Sequence, residues 1–391
     1  MSQARDYSLF DAEISGAVLD WSLLKRLGHW MRPYRATFGL SAILILLTST
    51  LQVLLPIIIS LVVIDHIIRQ SSEGPAPDLG MIDLNDWLVA TLNIHPLLAA
   101  CGVYALLQLA WAVTGHAHRL TLASAVTKSL RDLRLDLFRH LETRPSSFYD
   151  RVAVGRVMTR VTNDIEALYE LLRGVGTLVG EFVPFFVALA IMLAVDVQLT
   201  LILLLALPIM AAATYLFRRT TRRLFRLVRM SLSALNQYMQ ENLAGLAVVQ
   251  LSGREPANAS HYQQINKENR SHEMRSVRWE TLYGAFNDSM AHIALGAILW
   301  FGGGAVVQDS ITLGGIILFT RFIDMLFHPV VALGEQTNVL FRAMASCERI
   351  FQALDWDESI HEPSNPRALP GRLQGAVEFR NLSFEYEPGQ R

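Results

Sequence analysis

The sequence predicts an all-α membrane protein with six transmembrane helices that continue far into the cytoplasm. Three observations carry that class. The 391 residues are 52% hydrophobic and only 18% charged, with a mean hydropathy of +0.31, whereas a soluble chain carries roughly 25% charged residues. Six long runs nearly free of charge punctuate the chain, each reaching or approaching the ~20 residues that cross a ~30 Å hydrocarbon core. The basic residues are also unequally shared. Ten or more Lys/Arg lie in each of two connections, Arg119 to Arg173 and Arg218 to Arg278, and almost none in the others. This bias puts both long connections and both termini on the cytoplasmic side. The net charge of -1 gives no reason to expect a nucleic-acid partner, because the basic residues are used on these loops.

The elements follow in order. Residues 1–35 are mixed and charged, without the short apolar core and small-residue site of a cleaved signal peptide. Ala36 to Ile64 is the first run, followed by a long polar loop whose one basic residue is Arg69. Pro96 to Gly115 is the second. Phe182 to Val195 is the third, reversing through Asp196 into Val197 to Phe217. Ser289 to Gln308 and Ile311 to Gly334 complete the six. Pro56, Pro184, Pro208 and Pro329 fall within runs, where a proline can kink a helix. Gly302-Gly303-Gly304 permits close helix approach. Trp111, Trp300 and Phe301 read as lipid-facing or interfacial aromatics. Cys101 and Cys347 are kept apart by the topology, and the histidines show no metal-ligand spacing, so neither a disulfide nor a metal site is assigned.

The two basic connections are themselves helical. Leu122, Val126, Leu130, Leu133, Leu137 and Leu141 keep a helical period, as do Val157, Val161, Ile165, Leu168 and Leu172. Between them Pro145 and two serines break the helix, which predicts a short transverse helix joining two long extensions. At 1.5 Å per residue, ~25 residues beyond the span project ~35–40 Å below the bilayer. The second connection repeats the plan: Arg218 to Gln240 descends, Glu241 to Val249 turns, and Pro256 to Trp279 returns.

With these strings the chain resembles the transmembrane domain of ATP-binding cassette (ABC) exporters of the half-transporter, multidrug-resistance-like type. Trp30-Met-Arg-Pro-Tyr-Arg35 is similar to the elbow helix before the first span. Phe148-Tyr149-Asp150 and Gly155 to Asp164 resemble the first intracellular loop, Glu241 to Gln250 the second, and Arg342 to Asp355 the end of the sixth span. The resemblance implies coupling to a nucleotide-binding domain through Ser147, Phe148, Tyr149 and Asp150, with both aromatics as anchors, and through Gln240, Glu241, Asn242 and Gly245; the other reading of Phe148 and Tyr149 is that they merely pack between the stalks. It also implies ATP and Mg²⁺ in the complete transporter, a homodimer or a heterodimer with a homologous half, and a bacterial inner-membrane location among lipids.

Residues 1–35 then read as the cytoplasmic N-terminus and elbow, 36–355 as the six-helix domain and 356–374 as a Pro-rich linker. Residues 375–391 read as the first strand of a nucleotide-binding domain, with Tyr386 where the family stacks an aromatic on adenine. A strand-end tyrosine without a ligand is the other reading. The 391 residues contain no phosphate-loop string. The chain alone is therefore expected to have no catalytic residues, no ATPase activity and no bound cofactor. Either it is cut at the start of that domain or a separate chain supplies it.

Ionisable residues inside a span are functional hypotheses. Glu181 lies in the third run, Arg321 and Asp324 share a face of the sixth at i, i+3, and Asn287 and Asp288 stand where the fifth enters the bilayer. The resemblance implies that these runs line a substrate cavity. The bland readings are a snorkelling Glu181, a structural Arg321–Asp324 pair and interfacial Asn287 and Asp288. The leading function is the membrane half of an ATP-driven exporter for a lipid, hydrophobic drug or peptide, working by alternating access. The rivals are a secondary transporter or channel using the intramembrane charges, and a non-transporting truncated product. Orientation is directly testable: cysteine at Ser72 should label from outside the cell, and cysteine at Ser147 or Ser252 only from inside. External labelling at Ser147 would overturn the six-span topology.

Overall fold

The computed structural model describes residues 20–68, 80–308, 310–357, 371 and 375–384, apart from the side chain of Glu335. Six helical stretches are long and apolar enough to cross a membrane: Trp21–Ile68, Pro96–Glu142, Val154–Val195, Val197–Ala244, Glu255–Val307 and Leu313–Asp355. They match the six predicted runs and carry the cytoplasmic extensions without a break at the membrane surface.

Helix α1 (Trp21–Met31) is capped by Asp20, whose side chain accepts from Ser22 N at 2.8 Å. A single tight turn at Arg32–Tyr34, with Pro33 at its start, leads into α2 (Arg35–Ile57). The elbow thus begins earlier than the string at Trp30 suggested. Two residues after Pro56 the first span relaxes into a wider π-helical coil, Ile58–Ile68, as expected where a proline removes one ladder donor. Helix α3 (Met81–Leu92) lies in what reads as a polar outer loop. Met81 and Ile82 pack against Ile58, Val62 and Ala100, so the outer ends of the first two spans support it.

Helix α4 (Pro96–Glu142) starts with proline in its first turn and runs for 47 residues, ~70 Å at 1.5 Å per residue. The transverse α5 (Ser146–Arg151) follows, then α6 (Val154–Thr159), a π turn at Arg160–Asp164, and α7 (Ile165–Val195). At the predicted reversal Asp196 caps α8 (Val197–Leu204), accepting from Leu199 N at 2.7 Å. Pro208 cannot donate to the Leu204 carbonyl four residues back, and the fourth span is broken there into α8 and α9 (Ala206–Ala244). Helices α10 (Leu246–Leu251) and α11 (Glu255–Ala297) complete the second hairpin, and a π turn leads to α12 (Gly303–Val307). Helix α13 (Leu313–Asp355) is capped by Thr312 Oγ1, which accepts from Gly315 N at 3.0 Å. Residues 375–384 carry no strand, and the rest of the expected strand, 385–391, lies outside the described residues. A strand needs a neighbour to complete its ladder, and these residues are exposed.

The helices associate chiefly as three pairs: α2 with α4, α7 with α13, and α9 with α11. The membrane core joins all three through Ile57, Met192, Leu199, Met290, Phe319 and Phe322. Beyond it a separate lower core is built from Leu27, Leu133, Leu137, Phe148, Leu168 and Phe351, on α1, α4, α5, α7 and α13. No residue of α9 or α11 belongs to that lower core. Outside the membrane core these two helices pack chiefly on one another among the described residues.

Two polar clusters fix the ends. On the outer side the buried Asp65 accepts from Thr312 Oγ1 at 2.7 Å and from Gly314 N at 3.0 Å, tying the first span to the start of α13. A Cβ on Gly314 would come within 2.2 Å of the Ser60 carbonyl oxygen, so only glycine permits this approach. On the inner side Asp164 accepts from Arg349, in a paired contact, and from Ser346 Oγ at 2.9 Å, with Arg160 Nη1 3.7 Å away. Asp164 and Arg160 are buried. Removing one member of a buried pair leaves an uncompensated charge, typically costing ~3 kcal/mol or more. Asp164→Ala should therefore lower the unfolding midpoint in detergent far more than Arg26→Ala. The Arg26–Asp355 pair is exposed, and such surface pairs contribute under ~1 kcal/mol.

Candidate functional site: two cytoplasmic tips and the charges above them

The first tip is α5. Pro145, with extended backbone at φ -68 and ψ 159, ends the descent and starts this six-residue helix. Arg144 Nη1 donates to the Trp356 carbonyl at 2.7 Å, joining the foot of α4 to the chain after α13. The sequence reading expected Phe148 and Tyr149 to project as anchors, but the structure turns them inward. Phe148 is 1% exposed, in edge contact with Tyr149 and near Trp356. Tyr149 donates its hydroxyl to the Leu141 carbonyl at 2.8 Å. A two-turn helix has too little propensity to stand without an apolar face to bury, and these aromatics supply it. Ser147 and Asp150 face outward.

The second tip comes later in the chain than predicted. Gln240, Glu241 and Asn242 still belong to α9, and the turn falls at Gly245 and at residues 252–254. Gln240 and Glu241 are exposed. Asn242 instead staples the hairpin: its Nδ2 donates to the Tyr238 carbonyl at 2.8 Å, and its Oδ1 accepts from Asn258 on α11. The apolar side chains at this tip are uncovered, with Leu243, Val248 and Leu251 at 63%, 67% and 89% exposure. The sequence reading passed over them. The available signal was an apolar string, Leu246 to Leu251, with no predicted partner.

The intramembrane charges are not gathered into one cavity. Glu181, on α7, lines a space of about 590 Å³ between α2, α4 and α7, together with His118, Arg119, Arg173 and Trp111. Its carboxylate lies 3.9 Å from His328 Nδ1 on α13, a partner that sequence reasoning missed. Asn287 lines a second space of about 420 Å³ between α9, α11 and α13, beside Thr221 and Tyr283. The Oδ1 of Asn287 and the Oγ1 of Thr221 are buried there without a hydrogen-bond partner among the described residues. Asp288, Arg321 and Asp324 are exposed and line neither space. Arg321 and Asp324 form no ion pair with one another among the described residues, against the reading of a structural pair. Helical side chains lean toward the N-terminus, so an arginine tends to turn away from an acid three residues after it. Trp111 lines the first space, while Trp300 and Phe301 are exposed as predicted. Tyr386, the expected adenine-stacking residue, lies outside the described residues.

Six spans, three helix pairs and two short helices at the tips of the extensions are the arrangement expected of an ABC transporter membrane domain. Residues 38–330 match the family described as the ABC transporter transmembrane region, and the chain belongs to that family. It is 27% identical over 96% of its length to "Uncharacterized ABC transporter ATP-binding protein YknV" of Bacillus subtilis, covering 59% of that relative. It is 26% identical over 69% of its length to "Probable multidrug resistance ABC transporter ATP-binding/permease protein YheH" of the same organism, covering 40%. With a "Fatty acid ABC transporter ATP-binding/permease protein" of Mycobacterium bovis it shares 30% identity over 72% of its length, covering 44%. The chain thus spans less than two thirds of these relatives.

Because Phe148 is fully buried, Phe148→Ala should cost ~3–5 kcal/mol. The expected outcome is a lowered unfolding midpoint and reduced yield of monodisperse protein. Asp150→Ala should leave both unchanged.

Proposed function

We propose that the chain is the transmembrane half of an ATP-driven exporter, in which closure of two nucleotide-binding domains is converted into alternating access. The observation that carries this reading is the pair of cytoplasmic tips. Long rigid helices end in α5 and α10, and neither tip has a task within the membrane. In this reading α5 docks through Ser147 and Asp150, while Phe148 and Tyr149 hold it from behind. The second tip docks through Gln240, Glu241, Gly245 and the apolar residues of α10, with Asn242 keeping the hairpin closed. ATP with Mg²⁺ supplies the energy at a nucleotide-binding domain. The residues here do not fit that role, since the sequence has no phosphate loop, and no step is assigned to nucleotide on this chain.

The uncovered faces of α9 and α11 support assembly as a homodimer or a heterodimer with a homologous half. A single copy would leave those apolar side chains and the cavity charges without cover. Two relatives named for multidrug resistance and for fatty acid support a lipid or hydrophobic drug as cargo, with a peptide as the other class that the resemblance allows. Glu181, Asn287, Asp288, Arg321 and Asp324 then face the transport path. The location is a bacterial inner membrane with both termini cytoplasmic.

Truncating a few buried contacts at a small interface typically costs ~2 kcal/mol or more, about thirtyfold in affinity. With the nucleotide-binding domain that completes it, Val248→Asp with Leu251→Asp should retain insertion and ATP binding. Transport and substrate-stimulated ATP hydrolysis should fall at least about tenfold. Normal transport by the well-folded double variant, or a purely monomeric mass in mild detergent, would refute the proposal.

A further inference from the structure

Between Asp196 and Glu241 the chain carries no acidic residue, yet six arginines fall within twelve positions: Arg218, Arg219, Arg222, Arg223, Arg226 and Arg229. Several arginines elsewhere in the extensions pair with acids. Arg131 pairs with Asp132 at 2.7 Å, Arg139 with Asp136 at 3.5 Å, and Arg342 with Glu170 at 3.2 Å. Arg219, Arg222, Arg223, Arg226 and Arg229 are exposed and form no ion pair among the described residues. The acids of the packed neighbour α11 do not serve them. Glu273 accepts from Asn269 Nδ2 at 3.2 Å, and Glu280 accepts from Ser276 Oγ at 3.4 Å.

These arginines stand at a particular height. The apolar run of the fourth span ends at Phe217, so Arg219 to Arg223 lie ~3–9 Å beyond it at 1.5 Å per residue. The headgroup layer of one leaflet is ~5–7 Å deep. Helix α9 begins in the membrane, and helical side chains lean toward the N-terminus. The arginines therefore reach back up toward the bilayer. Tyr215, 67% exposed one turn above Arg219, is an aromatic of the kind enriched at that interface. Tyr215, Arg219, Arg222, Arg223 and Arg226 surround one open concavity of about 320 Å³.

We propose that this face of α9 binds the phosphate group of an anionic phospholipid from the cytoplasmic leaflet. Guanidinium groups match phosphate oxygens two at a time, and the uncompensated charge at headgroup height is complementary to that ligand. Four to eight basic residues just below a span attract anionic lipid, each weakening binding about fivefold when lost. The site does not depend on the transport reading.

The test counts lipids on the intact chain in detergent by native mass spectrometry, titrated with phosphatidylglycerol or phosphatidylcholine. The wild type should hold phosphatidylglycerol at least about tenfold better than phosphatidylcholine. Arg219→Gln with Arg222→Gln and Arg223→Gln should abolish that preference, the same three positions changed to Lys should keep most of it, and unfolding midpoints should be unchanged. If the triple Gln variant folds poorly, Arg223→Gln alone should show about a fivefold loss. Equal binding of the two lipids by the wild type would overturn the proposal, as would full phosphatidylglycerol binding by the Gln variants. Loss of a dimeric mass in those variants, with lipid binding intact, would assign the arginines to a second copy of the chain and also overturn it.

Discussion

The packing of α7 against α13 is the contact on which the rest of the molecule depends. These two helices run side by side from the outer core to the cytoplasmic core, and both cores draw on them. The helices come close at Gly174, where a Cβ would oblige the Gln336 side chain to turn aside. Lower down, Asp164 with Arg349 and Ser346 fixes their relative height. At the top, Asp65 ties the start of α13 to the first span. Both helices keep their backbone hydrogen bonds through the span, as lipid requires, so this pair links the outer core to the segment that carries α5.

The α9–α11 hairpin has the opposite character. Its membrane half belongs to the shared core through Met210, Met290 and Ile298, but its cytoplasmic half touches almost only itself. Hydrogen bonds hold its two arms together, as between Ser231 Oγ and Asn269 Oδ1 at 2.9 Å. Its apolar tip is uncovered, and Arg219, Arg222, Arg223, Arg226 and Arg229 form no ion pair among the described residues. One extension thus packs into the lower core, while the other leaves apolar and basic surfaces exposed.

Much of this was legible from residues alone. The apolar runs gave the spans, Asp196 gave the reversal, and Pro145 gave the transverse helix, because each depends on local chemistry. Helix α3 was missed because the prolines and acids before it read as loop, and its apolar side is defined only by Ile58, Val62 and Ala100. Asp65 was missed because a lone carboxylate at the end of a run looks interfacial, whereas its partners are about 250 residues away. Phe148 was misread for a related reason. Sequence shows that a short helix carries aromatics, but not which side of it faces the stalks.

The sequence by itself determined the number of crossings and the helical continuation beyond them, and set the expectation for their orientation. Hydrophobic length, charge asymmetry and backbone hydrogen bonding are properties of contiguous residues. Tertiary structure alone decided which helices pair, that Glu181 meets His328, that Arg321 and Asp324 stay apart, and that one hairpin is left uncovered. Those outcomes depend on side-chain direction and on contacts between distant segments, and neither is encoded in the spacing of any single run.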